Sequence, residues 1–164
     1  MRQPLTEQER AEALSQFSKD TQIVISDKQQ GLDRLTEYLA EIVPPDVLQL
    51  SQDRADVFFS FSMVESGVDS DGYAGGVENA ETGRIVYLIG VAEEAVYRGR
   101  EYSVLVWLHE LAHLITGEYG HSASFHDYTN YLLLKVKEYS GVIIKNDYYG
   151  LPTDQRPPDA RQRP

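Results

Sequence analysis

The stretch "WLHELAHLITGEYGHSASFHDY", Trp107 to Tyr128, holds all four histidines of a 164-residue chain. Its first half reads as a helix from about Tyr102 to Thr116. That helix is apolar nearly all round (Val104, Leu105, Val106, Trp107, Leu108, Leu111, Leu114, Ile115), so it should be central and buried. Gly117 and Gly120 stop it. Inside this apolar cylinder stand His109, Glu110 and His113, spaced H-E-x-x-H. Four residues is slightly more than one helical turn, so both imidazoles leave the same face and can grip one ion. Glu110 lies one position along, where a base sits to take a proton from water activated by that ion.

Chance would place this motif somewhere in a chain of this composition with a probability of about one per cent. Burial strengthens the signal. Two imidazoles and a carboxylate inside a buried helix cost several kcal/mol, as an order of magnitude, unless partnered, and a cation is such a partner. The competing explanation is a pair of core histidines hydrogen-bonded to backbone, with Glu110 pairing to one of them. The chain contains no cysteine, so a metal must be held by nitrogen and oxygen.

A catalytic zinc takes three protein ligands and keeps one position for water. Candidates for the third are His121, His126, Glu118, Asp127 and Glu138. His121 ranks first because it follows the helix-ending glycines, where the chain can turn back under the ion. His126 flanks the following helix and fits a supporting or solvated role better. Asp127 suits an acceptor for the far nitrogen of a ligand histidine, or an exposed acid in the first turn of the helix. Glu138 sits far along that helix.

Outward from the motif, the spacing predicts a last helix, roughly Ser124 to Tyr139, with Phe125, Tyr128, Leu132, Val136 and Tyr139 on one stripe. Upstream, "YAGGVENAETGRIVYLIG" reads as a hairpin turning through Asn79–Gly83, with Arg84 to Ile89 as its second strand. "DVFFSFSM" precedes it as another strand, "VESGVDSDG" as a loop, and "VAEEAVYRGRE" has room for a short helical turn. Near the start, Thr6 and Glu9 form a capping-box pattern ahead of a first helix. "TQIVIS" reads as a short strand, and Leu32, Leu35, Leu39 and Ile42 mark a second helix that Pro44 and Pro45 end. Five tyrosines (Tyr119, Tyr128, Tyr131, Tyr148 and Tyr149) surround or follow the motif, and no single one stands out as an oxyanion donor.

The fold class is therefore α+β, a small mixed or antiparallel sheet packed on the H-E-x-x-H helix. Residues 1–150 read as one domain, with a helical part at about 5–45 and a core at about 55–150. The proline- and charge-rich 151–164 reads as a disordered tail. The formal net charge is −11, which argues against a nucleic-acid footprint. The start "MRQPLTEQER" lacks the apolar core of a signal peptide and no apolar run reaches spanning length, so the expectation is a cytoplasmic protein with no membrane partner.

The stretch "HELAHLITGEYGHSASFHDYTNYLL" resembles the SprT/Spartan and WLM group of zinc metallopeptidases, which pair an HELxH-type helix with a later Gly-His-x-x-x-Phe. The second element here is Gly120, His121 and Phe125. The later "SGVIIKNDYYG" adds a likeness to uncharacterised metallopeptidase-like proteins of large DNA viruses and microbes. The resemblance covers about Tyr73 to Gly150 and is strong from His109 to Leu133. It implies a zincin-like fold, one Zn2+ held by His109, His113 and His121, and Glu110 as catalytic base. In zinc peptidases of this type a strand beside the active-site helix offers its edge to an extended polypeptide substrate. Here Ile85, Val86, Tyr87 and Leu88 are expected in that place. The basic DNA-binding elements and the cysteine-based zinc ribbon of Spartan-type enzymes have no counterpart, so the resemblance supports a peptidase core and not a DNA-repair role.

Three functions compete on the sequence. One is a zinc-dependent endopeptidase. Another is a non-catalytic, zinc-stabilised binding module in a viral, phage or bacterial assembly. The third is a metal-free packing motif. Three protein ligands favour the first, and a fourth, such as His126, favours the second.

Overall fold

A computed structural model describes residues 5–25, 29–50, 57–64 and 71–148, with 57–64 given as backbone. Its elements are α1 (Glu7–Thr21), α2 (Gln29–Ile42), α3 (Pro45–Leu50), β1 (Val57–Val64), β2 (Gly72–Glu78), β3 (Ile85–Ala92), α4 (Glu93–Tyr97), α5 (Arg100–Thr116) and α6 (Ala123–Ser140). The fold is α+β. Among the described residues no helix is long and apolar enough to cross a membrane. The expected tail at 151–164 lies outside the described residues.

The capping box forms as the sequence implies. The Thr6 hydroxyl accepts from the Glu9 amide at 3.0 Å, and the Glu9 carboxylate accepts from the Thr6 amide at 3.2 Å. The next expectation fails over its described part. Residues 21–25 of "TQIVIS" are not a strand, because Thr21 closes α1, Gln22 turns left-handed at φ 60°, and only Ile25 makes an isolated bridge, while Ser26 lies outside the described residues. A β-branched run is not enough to form a strand without a partner along its length. Ile23 serves instead as a core plug, fully buried, with its carbonyl accepting from Ser18 Oγ at 2.5 Å.

Pro44 and Pro45 do end α2, and they also begin α3. The Pro44 carbonyl accepts from Val47 and Leu48, and Pro45 occupies the first helical position, where a missing N–H costs nothing.

The three strands form one sheet in the order β1-β3-β2, with β1 parallel and β2 antiparallel to β3. The β2–β3 hairpin is closed by Asn79. Its backbone pairs with Arg84 and Gly83, and its side chain accepts from the amides of Glu81 and Thr82. Gly83 supplies the positive φ of 74° that the turn requires.

β3 is therefore the central strand, hydrogen-bonded on both sides. The expectation that Ile85, Val86, Tyr87 and Leu88 present a free edge to substrate is incorrect. The physical reason is in the composition. "IVYLIGVA" is apolar without alternation, and residues 88–92 are buried without a break, the pattern of a strand covered on both faces.

α4 forms the short helix that "VAEEAVYRGRE" allowed. α5 is then buried continuously from Ser103 to Leu114. It packs against β2, β3, α2, α4 and α6, so the polar residues it carries are in the middle of the protein. On α6 the buried residues are Phe125, Thr129, Leu132, Leu133 and Val136. Thr129 is tolerated there because its hydroxyl donates to the Phe125 carbonyl at 3.1 Å. Tyr139, expected on the buried stripe, is 53% exposed in the last turn. After Gly141 the chain runs back along the core, and Tyr148 ends buried.

Candidate metal centre

α5 places His109 and His113 one turn apart on one face, and both rings are buried. Their Nε2 atoms lie 3.3 Å from each other. The turn to the third imidazole begins at Gly117, which adopts φ 72° while its amide donates to the His113 carbonyl at 3.0 Å. That left-handed cap reverses the chain, and four residues later His121 returns to the two rings. Ligand-capable nitrogens of His109, His113 and His121 all lie within 4.8 Å of one another. Among the described residues no carboxylate and no further imidazole joins this group.

The tautomer of His113 follows from its partner. Its Nδ1 lies 2.6 Å from the Glu118 carbonyl, which can only accept, so Nδ1 carries the proton and donates. Nε2 then presents a lone pair toward His109. Two facing imidazole nitrogens are held together by a single proton or by a cation. A cation uses both lone pairs and the nearby third. The donor set therefore fits a divalent ion that prefers nitrogen, and a histidine held by a backbone carbonyl on its far nitrogen is the usual arrangement of such a ligand.

The other candidates lie elsewhere. The His126 ring centroid is 6.1 Å from that of His121, beside the group and not in it. Asp127 is exposed just past the first turn of α6, which holds no acidic residue, so it is not the first-turn acid expected, and Glu138 is exposed near the far end. The Glu118 side chain turns away from the rings to accept from Ser122 Oγ at 2.7 Å and Ser124 Oγ at 2.8 Å. These two hydroxyls hold its carboxyl below the usual carboxylate range.

Glu110 is buried, and its position is set by a residue that the sequence reading passed over. A Cβ at Gly72 would lie 2.8 Å from Glu110 Oε2 and 2.6 Å from Val106 Cγ1. Only a glycine leaves room for the carboxylate against the start of β2. β2 is an outer strand of the sheet, so the strand whose end touches Glu110 is β2 and not β3. No local pattern could reveal this, because the contact spans 38 residues of sequence.

Aromatic rings wall the site. Phe125 is fully buried and stacks on His113 at 4.2 Å between centroids. It meets His109 edge-on at 4.9 Å and His121 at 5.3 Å. The Gly-His-x-x-x-Phe spacing thus has a physical reading: Phe125 is the surface on which all three imidazoles rest. Tyr148 covers His109 at 4.7 Å and Tyr119 lies along His113 at 6.3 Å. Of the other tyrosines flagged by sequence, Tyr128 and Tyr131 line a separate groove with Val47, Leu50 and the Asp46–Lys135 ion pair. Tyr149 lies outside the described residues.

No family model matches the chain, and the comparisons with curated proteins and with solved structures likewise find no match.

Proposed function

We propose that the chain is a zinc-dependent endopeptidase. The observation that carries this reading is the ligand set: three imidazoles converge, no fourth ligand joins them among the described residues, and a buried glutamate stands one position away. A purely structural site needs neither the vacancy nor the glutamate. The likeness to the SprT/Spartan and WLM group, which rests on the motif residues, points the same way.

His109, His113 and His121 would hold the ion. When bound, zinc supplies a Lewis acid that polarises a scissile carbonyl and brings the pKa of a coordinated water to about 7. Glu110 would serve as the base that takes a proton from the attacking water and returns it to the leaving amine. Its burial beside Gly72 and Val106 confines the carboxylate before substrate arrives. Phe125 and Tyr148 keep bulk solvent from the inner faces of the rings. An extended polypeptide would lie beside β2, the outer strand that leads to Glu110.

Glu110→Gln removes the base while keeping the shape. The variant should bind zinc as the parent does and lose cleavage of an unfolded polypeptide by about 10²- to 10⁴-fold. Retention of full cleavage would remove Glu110 from the mechanism.

The depth of the site favours one other reading. His109 is 0% and His113 2% exposed, as in a structural metal centre of a binding module. Cobalt-substituted protein separates the two, because a vacant coordination position changes the visible spectrum when a hydroxamate is added and a closed one does not.

A further inference from the structure

Glu118 touches both halves of the histidine group without belonging to it. Its backbone carbonyl accepts from His113 Nδ1 at 2.6 Å. Its carboxylate accepts from Ser122 Oγ and Ser124 Oγ at 2.7 and 2.8 Å, one hydroxyl to each oxygen. Ser122 follows His121 directly, and its hydroxyl also accepts from the Phe125 amide at 3.2 Å, capping α6. The Thr116 hydroxyl in turn accepts from the Glu118 amide at 3.2 Å. The turn that carries His121 is therefore tied to the last residues of α5 and to the first turn of α6 through one residue.

This arrangement solves a particular problem. His109 and His113 are fixed by a buried helix, whereas His121 sits on a turn containing Gly117 and Gly120, which by themselves leave the backbone loose. Two hydroxyl-to-carboxylate bonds are of the stronger, charge-assisted kind, and they close the turn across the ligand it bears. We propose that Glu118 is the positioning residue of the metal centre: its carbonyl sets the His113 tautomer, and its carboxylate holds the His121 turn in the ligating arrangement. The inference rests on the metal-centre reading and adds to it the residue that preorganises two of the three ligands.

The test uses the full chain with Glu118→Ala, Glu118→Gln and Ser124→Ala. One measurement is zinc affinity, by competition with a chromophoric chelator. The other is long-range 1H–15N NMR of the metal-free protein, which reads the tautomer of each histidine. Glu118→Ala keeps the backbone carbonyl but frees the turn that carries it, so it should weaken zinc binding by about 10- to 100-fold, the usual effect of losing an outer partner, and should leave His113 a mixture of tautomers as the carbonyl drifts from Nδ1. Glu118→Gln keeps an acceptor and an amide that can meet the second hydroxyl, so it should recover most of the affinity. Ser124→Ala, which keeps the α6 cap, should give an intermediate loss and carries the test should Glu118→Ala fail to fold.

Parent-like affinity and an unchanged tautomer in Glu118→Ala and Ser124→Ala would overturn the positioning role while leaving the metal reading intact. A parent protein that binds no zinc would overturn the metal reading. The tautomer shift would then decide the role of Glu118 alone.

Discussion

A methyl group added at position 72 has nowhere to go. It would sit 2.6 Å from Val106 Cγ1 and 2.8 Å from Glu110 Oε2, both on a buried helix. Gly72→Ala should therefore cost about 1–3 kcal/mol of stability in urea denaturation. It should also lower cleavage beyond that loss, because the carboxylate must move. Gly76→Ala is the matched control. There a Cβ meets only the side chains of Ile85 and Tyr87 at 3.1 and 3.2 Å on a partly open surface, and both can give way. A Gly72→Ala protein as stable and active as the parent would show that Glu110 is not seated as described. At this scale the sequence was most informative where chemistry and spacing coincide. The four-residue interval of His109 and His113 and the one-residue offset of Glu110 are legible because the helix supplies the geometry. His121 was legible through the glycines before it. Gly72 was not, since it reaches the site by a tertiary path that no local window contains. Tyr148 stood among five flagged tyrosines with nothing to single it out, and it gained a place only when the segment after α6 was seen to return to His109.

Elements were legible in proportion to how strongly their ends are marked. α1 starts directly after its capping box, and α6, with its Ser122 cap and Gly141 stop, lies within about a residue or two of the expected bounds. α3 was hidden because a proline pair reads first as a stop and only second as a start. β3 was placed correctly along the chain and wrongly within the sheet, although its unbroken apolar run was the available sign of a central strand. The joint between α5 and β2 carries a further test. Tyr102, in the first turn of α5, donates to Asp71 just ahead of β2, and Arg98 pairs with the same carboxylate at 3.3 Å. Burial, followed by the Asp71 carboxylate, pushes the Tyr102 hydroxyl well above its ordinary value of 10.0. A pKa raised by folding gives stability that is fully present below the unfolded value and is lost as pH rises toward the folded one. The melting temperature should therefore fall above about pH 10, and Tyr102→Phe should flatten that alkaline decline. An identical alkaline slope in parent and variant would show that the joint does not couple to folding.

On the scale of the whole molecule, a chain of net charge −11 encloses a buried centre built from imidazoles, one carboxylate and aromatic walls. α5 gathers these groups because it is packed on every side, so the stability of the core and the geometry of the ligands depend on the same contacts. The proposed chemistry needs three nitrogens holding one ion with a position left over. X-ray absorption at the zinc edge, on full-length protein loaded with zinc and freed of excess, tests this directly. It should show one zinc per chain, three imidazole ligands at about 2.0–2.1 Å and one further light ligand that is not a histidine. A protein that retains no zinc, or a shell closed by a fourth histidine, would contradict it.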